Sequence, residues 1–195
     1  MIELPSHRLK QAKRALRREL LALRDALPPD ERRAKSEAVA ARFLALPELA
    51  HARTVMAFWS FGSEVDTAPL LEGLLGAGRT TAMPRVEGVD VVPVECRRGD
   101  EMRQTSFGAF EPVAGRVLDV TELDLVVVPG VAFDGGGRRV GYGGGFYDRL
   151  LPRLRPGVPA VAVAFSLQLV PEVPAGGMDR RVDSVVTESE VIRCR

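Results

Sequence analysis

Apolar side chains recur at Leu9, Ala12, Leu16, Leu20, Leu23 and Leu27, the spacing of three and four that gives an amphipathic helix its core-facing stripe. The pattern predicts a helix over residues 6–27, ended by Pro28-Pro29. A second helical stretch, ERRAKSEAVAARFLAL, starts after Asp30 and closes at Pro47. From Thr54 the period changes. TVMAFWS predicts a strand, SEVDTAPLLEGLLGAG a loop and a helix, and TTAMPRV a second strand. Strand, helix and strand within about thirty residues make a βαβ unit, hence parallel strands with a right-handed crossover. VDVVPVE and VPAVAVAF predict further strands, and RVDSVVTE the last one. LDLVVVPG is an unbroken apolar run, the kind found at the centre of a parallel sheet covered on both faces. Phe58 and Trp59 read as core residues of the first strand.

The class expected is therefore α/β, an open, mostly parallel sheet between helices, with an N-terminal helical pair packed at its edge. A single domain is expected over residues 1–195, with the helical pair in 1–50 and the α/β body in 51–195. Ligands of such sheets bind beyond the carboxyl ends of the strands, so the loops starting at Ser60, Pro84, Pro129 and Phe165 should converge.

Composition narrows the functional classes. The chain has 195 residues, 46% of them hydrophobic and 27% charged, with a net charge of +1, so no overall field draws it to nucleic acid or to a membrane surface. Two cysteines, Cys96 and Cys194, lack metal spacing and are too few for a disulfide framework. The first residues, MIELPSHRLKQ, contain no apolar segment of the signal-peptide kind, and no apolar run approaches the roughly 20 residues that span a bilayer. A soluble, cytoplasmic protein is expected, with no nucleic acid, membrane or protein partner implied.

The chemistry concentrates in Leu123–Leu151, LDLVVVPGVAFDGGGRRVGYGGGFYDRLL. Seven glycines lie between Asp134 and Phe146, and glycine is useful where backbone needs a positive φ or a close approach to a ligand. The segment fits neither standard nucleotide pattern. A Walker loop needs a Lys, and there is none after Lys35; the dinucleotide pattern needs Gly at position 146, where this chain has Phe. The loop is either an anion cradle or a tight strand-to-helix crossing. Arg138 and Arg139 favour phosphate. Asp148, in the first turn of the following short helix, either complements the helix dipole or holds Mg²⁺.

Outside the loop, Lys13 and Arg17 are neighbours on one helix face and border its apolar stripe. They are either a snorkelling basic rim or the two sides of an anion site. In Phe61-Gly-Ser-Glu64-Val-Asp66-Thr67, Asp66 or Thr67 can cap the next helix, which leaves Glu64 unexplained. Phe107 has no helical or strand period to bury it and suits a planar-ligand pocket. Asp179, in GGMDRRVD, is a turn residue or a second metal carboxylate.

The motifs Lys13-Arg-Ala-Leu-Arg17, Ser63-Glu-Val-Asp-Thr67, Pro84-Arg85, Phe107 with Glu111-Pro112, and Pro129-Gly-Val-Ala-Phe-Asp134 occur in that order. They are followed by Gly137-Arg-Arg-Val-Gly-Tyr-Gly-Gly-Gly-Phe-Tyr-Asp-Arg149 and Met178-Asp-Arg-Arg-Val-Asp183. The series, from Lys13 to Glu188, resembles the 5-formyltetrahydrofolate cyclo-ligase family. The resemblance implies an enzyme that uses ATP and Mg²⁺ to close 5-formyltetrahydrofolate to 5,10-methenyltetrahydrofolate through a phosphorylated formyl group, releasing ADP and phosphate. It implies ATP contacts from Lys13, Arg14 and Arg17 and from the loop residues Arg138, Arg139, Gly141, Tyr142, Gly143, Gly144, Gly145, Phe146 and Tyr147. Arg17, Arg139 and Tyr142 would be its catalytic residues, and Asp148 and Asp179 its Mg²⁺ ligands. Phe61, Glu64 or Asp66, and Phe107 would line the folate pocket, joined by Tyr142, Gly145 and Phe146. Position 146 is Phe where the family often has Tyr, and position 107 is Phe where some members have Trp.

The competing reading is a sugar-phosphate isomerase or CoA-transferase relative on the same kind of sheet, although no Glu stands in a recognisable setting for that chemistry. A nucleotide- or RNA-binding module rests only on the basic first helix, and the balanced charge argues against it.

Overall fold

The run LDLVVVPG takes the position its pattern demands. In this computed structural model, which describes residues 5–106 and 108–194, it forms the central strand of a seven-stranded sheet. Leu125 and Val127 point into one apolar layer, Val126 and Val128 into the other, the period-two alternation of a strand buried on both sides.

The strands in chain order are β1 (Thr54–Met56), β2 (Thr80–Glu87), β3 (Asp90–Cys96), β4 (Met102–Gln104), β5 (Phe110–Pro112), β6 (Leu125–Val128), β7 (Ala132–Phe133), β8 (Arg139–Val140), β9 (Ala160–Val163), β10 (Ser184–Val186) and β11 (Val191–Arg193). The α-helices are α1 (Ser6–Asp25), α2 (Pro29–Leu44), α3 (Ala68–Gly76) and α4 (Phe146–Leu150). The sheet order is β11-β10-β9-β6-β1-β2-β3. The five inner strands are parallel, and β3 and β11 run antiparallel at the two edges. Two further pairs, β4-β5 and β7-β8, stand apart from the sheet.

Helices α2 and α3 cover one face. Val39, Ala40 and Phe43 of α2 and Leu70, Leu71 and Leu74 of α3 are buried with Val55, Leu125, Val127 and Val161. Gly73 makes the approach of the two helices possible, since a Cβ there would lie 2.4 Å from Leu44 Cδ1. The other face is closed by Tyr147 and Leu150 of α4 with Phe133, Leu118 and Leu123. Helix α1 does a different job from α2: Leu20 packs on Val131, Ala132, Val140 and Val173, so α1 lies across the chain that leaves the carboxyl end of β6.

Several local expectations need correcting. The first strand stops at Met56, and Trp59 is 40% exposed whereas Phe58 is buried as expected. Thr67 ends the extension by donating its hydroxyl to Phe58 O at 2.7 Å and accepting the Ser60 N–H at 2.9 Å. No loop starts at Pro84, because β2 continues to Glu87. Only Thr80–Ala82 pair with β1, so at Pro84 the β1 side of the strand is already an edge, where a missing N–H is tolerated. RVDSVVTE is followed by one more strand, β11, reached through a turn closed by Thr187 N–H to Glu190 O at 2.9 Å. The other three loops do converge: Gln168 of the Phe165 loop donates to Gly130 O and Val131 O of the Pro129 loop, each at 3.0 Å, and the Ser60 loop meets them through Tyr142.

Candidate active site

One face of α1 organises the site. Lys13, Arg17, Leu20 and Arg24 follow each other at spacings of four, three and four, which stacks them along one side of a helix. Leu20 anchors that side in the apolar layer, and the three cations reach over the loops at the carboxyl edge. Lys13 Nζ donates to both oxygens of Asp179, at 2.6 and 2.5 Å. Arg17 Nε donates to Gly141 O at 2.8 Å. Arg14 lies off this face and is exposed.

The glycine segment divides into two parts with different physical roles. Its first half is the β7-β8 hairpin, built around the buried Asp134, whose Oδ1 accepts the N–H groups of Gly136 and Arg138 at 2.9 and 3.0 Å while Oδ2 accepts that of Val173 at 2.9 Å. Gly137 has φ +77°, and a Cβ there would lie 2.3 Å from Val182 O; this glycine serves the turn. Arg138 belongs to the same structure, pairing with Glu172 at 3.3 Å.

The second half faces the site. Arg139 is almost sealed, its side chain 5% exposed, and its Nη2 donates to Asp148 Oδ1 at 2.8 Å. Burial lowers the affinity of this guanidinium for its proton, and Asp148 opposes that effect. Among the described residues its Nε is buried without a partner, as is the hydroxyl of Tyr147, and the Arg139 guanidinium lies 5.9 Å from the Tyr147 ring. Burial also pushes the Tyr147 phenol up. Gly141 passes over Arg139, where a Cβ would meet Nη1 at 3.2 Å. Gly143 and Gly144 are exposed, and Gly145, at φ +67°, starts α4. Phe146 lies under the Arg149 guanidinium at 5.4 Å.

The two carboxylates expected to hold a metal come to one place. Arg180 N–H donates to Asp148 Oδ1 at 3.0 Å, and Asp179 is the residue before it. Asp179 is also a turn residue, accepting the Gly176 N–H at 2.6 Å. No group of three or more His, Cys, Asp or Glu side chains suited to a metal exists among the described residues. Two hard carboxylates are the donor set for a divalent cation whose other ligands are water and substrate phosphates, and they do not make an all-protein cage. The fit to Mg²⁺ is therefore good only with a phosphate ligand beside it.

At the far end of the α1 face the site changes character. Glu64 is 6% exposed. Its Oε1 accepts the Tyr142 hydroxyl proton at 2.7 Å and its Oε2 the Phe61 N–H at 2.9 Å. Burial pushes its carboxyl up, against the pull of these hydrogen bonds and of Arg24. The Phe61 and Tyr142 rings meet with centroids 5.1 Å apart. Burial, then the Glu64 charge, pushes the Tyr142 phenol up. Asp66 is spent on its helix, its Oδ1 accepting the Ala68 N–H at 3.0 Å; Glu64 is the carboxylate that faces the loop. Phe107 lies outside the described residues. The clefts beside Arg97 and Cys96, at the opposite edge of the sheet, are lined by arginines with opposing carboxylates and contain none of these residues.

The arrangement can receive a polyanion at one end and a flat ligand bearing N–H donors at the other. A family model for the 5-formyltetrahydrofolate cyclo-ligase family matches residues 9–188. The chain belongs to this family. It is 33% identical over 174 residues to a 5-formyltetrahydrofolate cyclo-ligase of Escherichia coli (strain K12), covering 86% of this chain and 96% of that one. It is 29% identical to the mouse cyclo-ligase, over 92% of this chain and 95% of that one. A solved structure of Aquifex aeolicus 5,10-methenyltetrahydrofolate synthetase superposes with a TM-score of 0.83 at 36% identity, covering 94% and 93% of the two chains. The synthetase of Mycoplasma pneumoniae shares the fold, with a TM-score of 0.75 at 21% identity, covering 90% of this chain and 98% of that one.

For this cyclo-ligase family member, the sequence motifs do not include Arg24 or Asp25, which the structure joins to the site through Ser63. Arg24 Nε donates to Ser63 Oγ at 3.0 Å and Nη2 to Tyr142 Oη at 2.9 Å, and Ser63 donates to Asp25. A signal for Arg24 exists in the chain: it stands eleven residues after Lys13, which is three helical turns and the same face.

Proposed function

We propose that the chain closes 5-formyltetrahydrofolate to 5,10-methenyltetrahydrofolate in an ATP- and Mg²⁺-dependent reaction, with ATP held by the Lys13–Arg139 end of the site and the folate by the Glu64 end. The observation that carries the reading is the meeting of the two ends at adjacent residues. Gly141 accepts from Arg17 and Tyr142 donates to Glu64, so a γ-phosphate and a formyl group bound at the two ends are neighbours.

The formyl oxygen attacks the γ-phosphorus, and ADP leaves. N10 then adds to the formyl carbon and loses its proton, and the original formyl oxygen departs in inorganic phosphate. Such phosphoryl transfer depends chiefly on positioning and on cations around the phosphate oxygens. Lys13, Arg17 and Arg139 supply those cations from buried or half-buried positions, where water screens them less than in the open. The exposed Gly143 and Gly144, with the half-buried Gly145 after them, carry no side chain that would hold the phosphates away. Asp148 and Asp179 would hold Mg²⁺, which would supply neutralisation of the charge developing on the phosphates. Phe61 and the Tyr142 ring face the flat pterin, and Glu64 accepts its N–H donors.

The test is spectroscopic. Protein supplied with 5-formyltetrahydrofolate, ATP and Mg²⁺ develops the long-wavelength absorbance of the methenyl product, and omission of either ATP or Mg²⁺ prevents it. No absorbance change with all components present refutes the assignment.

A further inference from the structure

Arg24 is 3% exposed and sits on the apolar side of α1, yet among the described residues no carboxylate pairs with it directly. Its partners are two neutral hydroxyls, Ser63 and Tyr142. For stability alone, an apolar side chain of similar volume serves as well as a buried charge. The value of the guanidinium here is directional.

A guanidinium has donors and no acceptor. Both hydroxyls must therefore accept from Arg24, and each has one proton left to give. Ser63 gives its proton to Asp25, which draws the loop onto the end of α1. Tyr142 gives its proton to Glu64 Oε1 at 2.7 Å. The order Arg24, Tyr142, Glu64 is thus fixed in one sense, and Glu64 is held as an acceptor with both oxygens already oriented.

We propose that Arg24 is a positioning residue which, through the Tyr142 hydroxyl, holds Glu64 as the acceptor for N–H donors of the pterin. The groups facing Glu64 are Arg24 from α1, Tyr142 from the glycine loop, Tyr147 from α4 and the Phe61 N–H from its own loop. Arg24 is the only cation among them. Without it, burial acts on Glu64 unopposed by positive charge, and the neutral acid gains ground. A neutral carboxyl presents a donor where the pterin also presents donors. This assignment presupposes that the Glu64 end binds the folate.

The experiment measures steady-state KM for both substrates in Arg24→Met, Arg24→Lys, Tyr142→Phe and the Arg24→Met/Tyr142→Phe pair, from mildly acidic to mildly alkaline pH. Losing a charge-assisted bond predicts a folate KM raised about 10- to 100-fold in Arg24→Met, with the ATP KM within about threefold of wild type. Lys restores part of the loss. In Arg24→Met the folate KM falls back toward wild type as pH rises and Glu64 ionises, a response that a merely loosened loop does not give. Tyr142→Phe shows the same folate defect and adds little to Arg24→Met. Wild-type folate KM in Arg24→Met and in Tyr142→Phe, or equal rises in the folate and ATP KM, overturns the proposal. If Arg24→Met does not fold, Tyr142→Phe decides alone on the same two outcomes. Calorimetry with 5-formyltetrahydrofolate in the absence of ATP separates the two levels. A wild type that does not bind it removes the folate reading and this proposal together. A wild type that binds it and closes the ring, beside indifferent variants, removes this proposal only.

Discussion

The two ends of the site are built from the same ingredients, arginine or lysine against carboxylate, and they differ in how those ingredients are joined. At the Lys13 end the pairs are direct and reachable by water: Lys13 and Asp179 are 20% and 21% exposed, and Asp148 is 26% exposed beside Arg139. At the Arg24 end the charges are 3% and 6% exposed and are separated by hydroxyls. The partly exposed Lys13–Asp179 pair contributes little stability and exchanges partners readily, while Arg139, 5% exposed, stays in place beside Asp148. A relay whose two charged ends are buried and joined through the Tyr142 hydroxyl holds one geometry, although Tyr142 itself is 38% exposed. The first arrangement suits a ligand that brings its own charges, because phosphates can take the cations while a metal takes the carboxylates. The second suits a ligand recognised by the direction of its N–H groups.

The comparison predicts a clean division of mutational effects. The largest falls on the sealed end. Glu64→Ala removes the acceptor and leaves Arg24 and Tyr142 without their terminus, so folate KM is expected to rise about 100-fold while ATP KM changes by less than about threefold; parallel rises in both would mean the two ends are one. Next, Lys13→Ala is expected to raise ATP KM about tenfold, one charge-assisted contact, with folate KM unmoved in the same assay.

A smaller effect has a distinctive sign. Asp179→Asn frees Lys13 from its partner. Metal-free ATP should then bind several-fold more tightly than to wild type, with the gain from Mg²⁺ reduced; calorimetry with and without the metal reads both. Weaker metal-free binding would show that Lys13 and Asp179 do not exchange partners. The smallest effect is on stability. Burial holds the Glu64 carboxyl above its ordinary range, so its favourable contribution is present at acid pH and is lost as pH rises through the folded-state value. Thermal melts of Glu64→Gln should accordingly gain on wild type from acid to neutral pH, and a constant difference would argue that Glu64 titrates normally.

How far the sequence reveals this division follows from the physics of each part. The central strand is visible because burial imposes a period on the residues themselves, whereas the expected α1 stripe is only partly buried: Leu20 is enclosed and Leu23 is 50% exposed. The cluster at the Lys13 end is legible because Lys13, Arg139, Asp148 and Asp179 stand in motifs of fixed spacing. Arg24 escapes that reading, since a cation on an apolar stripe looks like snorkelling until its hydroxyl partners, 39 and 118 residues away, are known. The β7-β8 hairpin is equally hidden: two-residue strands have no period, and Asp134 builds them with backbone bonds that any polar turn residue could make. Between Glu64 and Asp66, pattern alone offers no decision. The hydrogen bonds separate their roles within the fold, giving Asp66 to Ala68 and Glu64 to Tyr142.

If the two ends act on one substrate pair, a single atom must cross from the sealed region to the open one. 5-Formyltetrahydrofolate labelled with heavy oxygen in the formyl group follows that atom. After turnover with ATP and Mg²⁺, mass analysis of the phosphate released should find the label in it at close to one oxygen per ring closed. Unlabelled phosphate, alongside continued formation of the methenyl product, would contradict transfer through a phosphorylated formyl group.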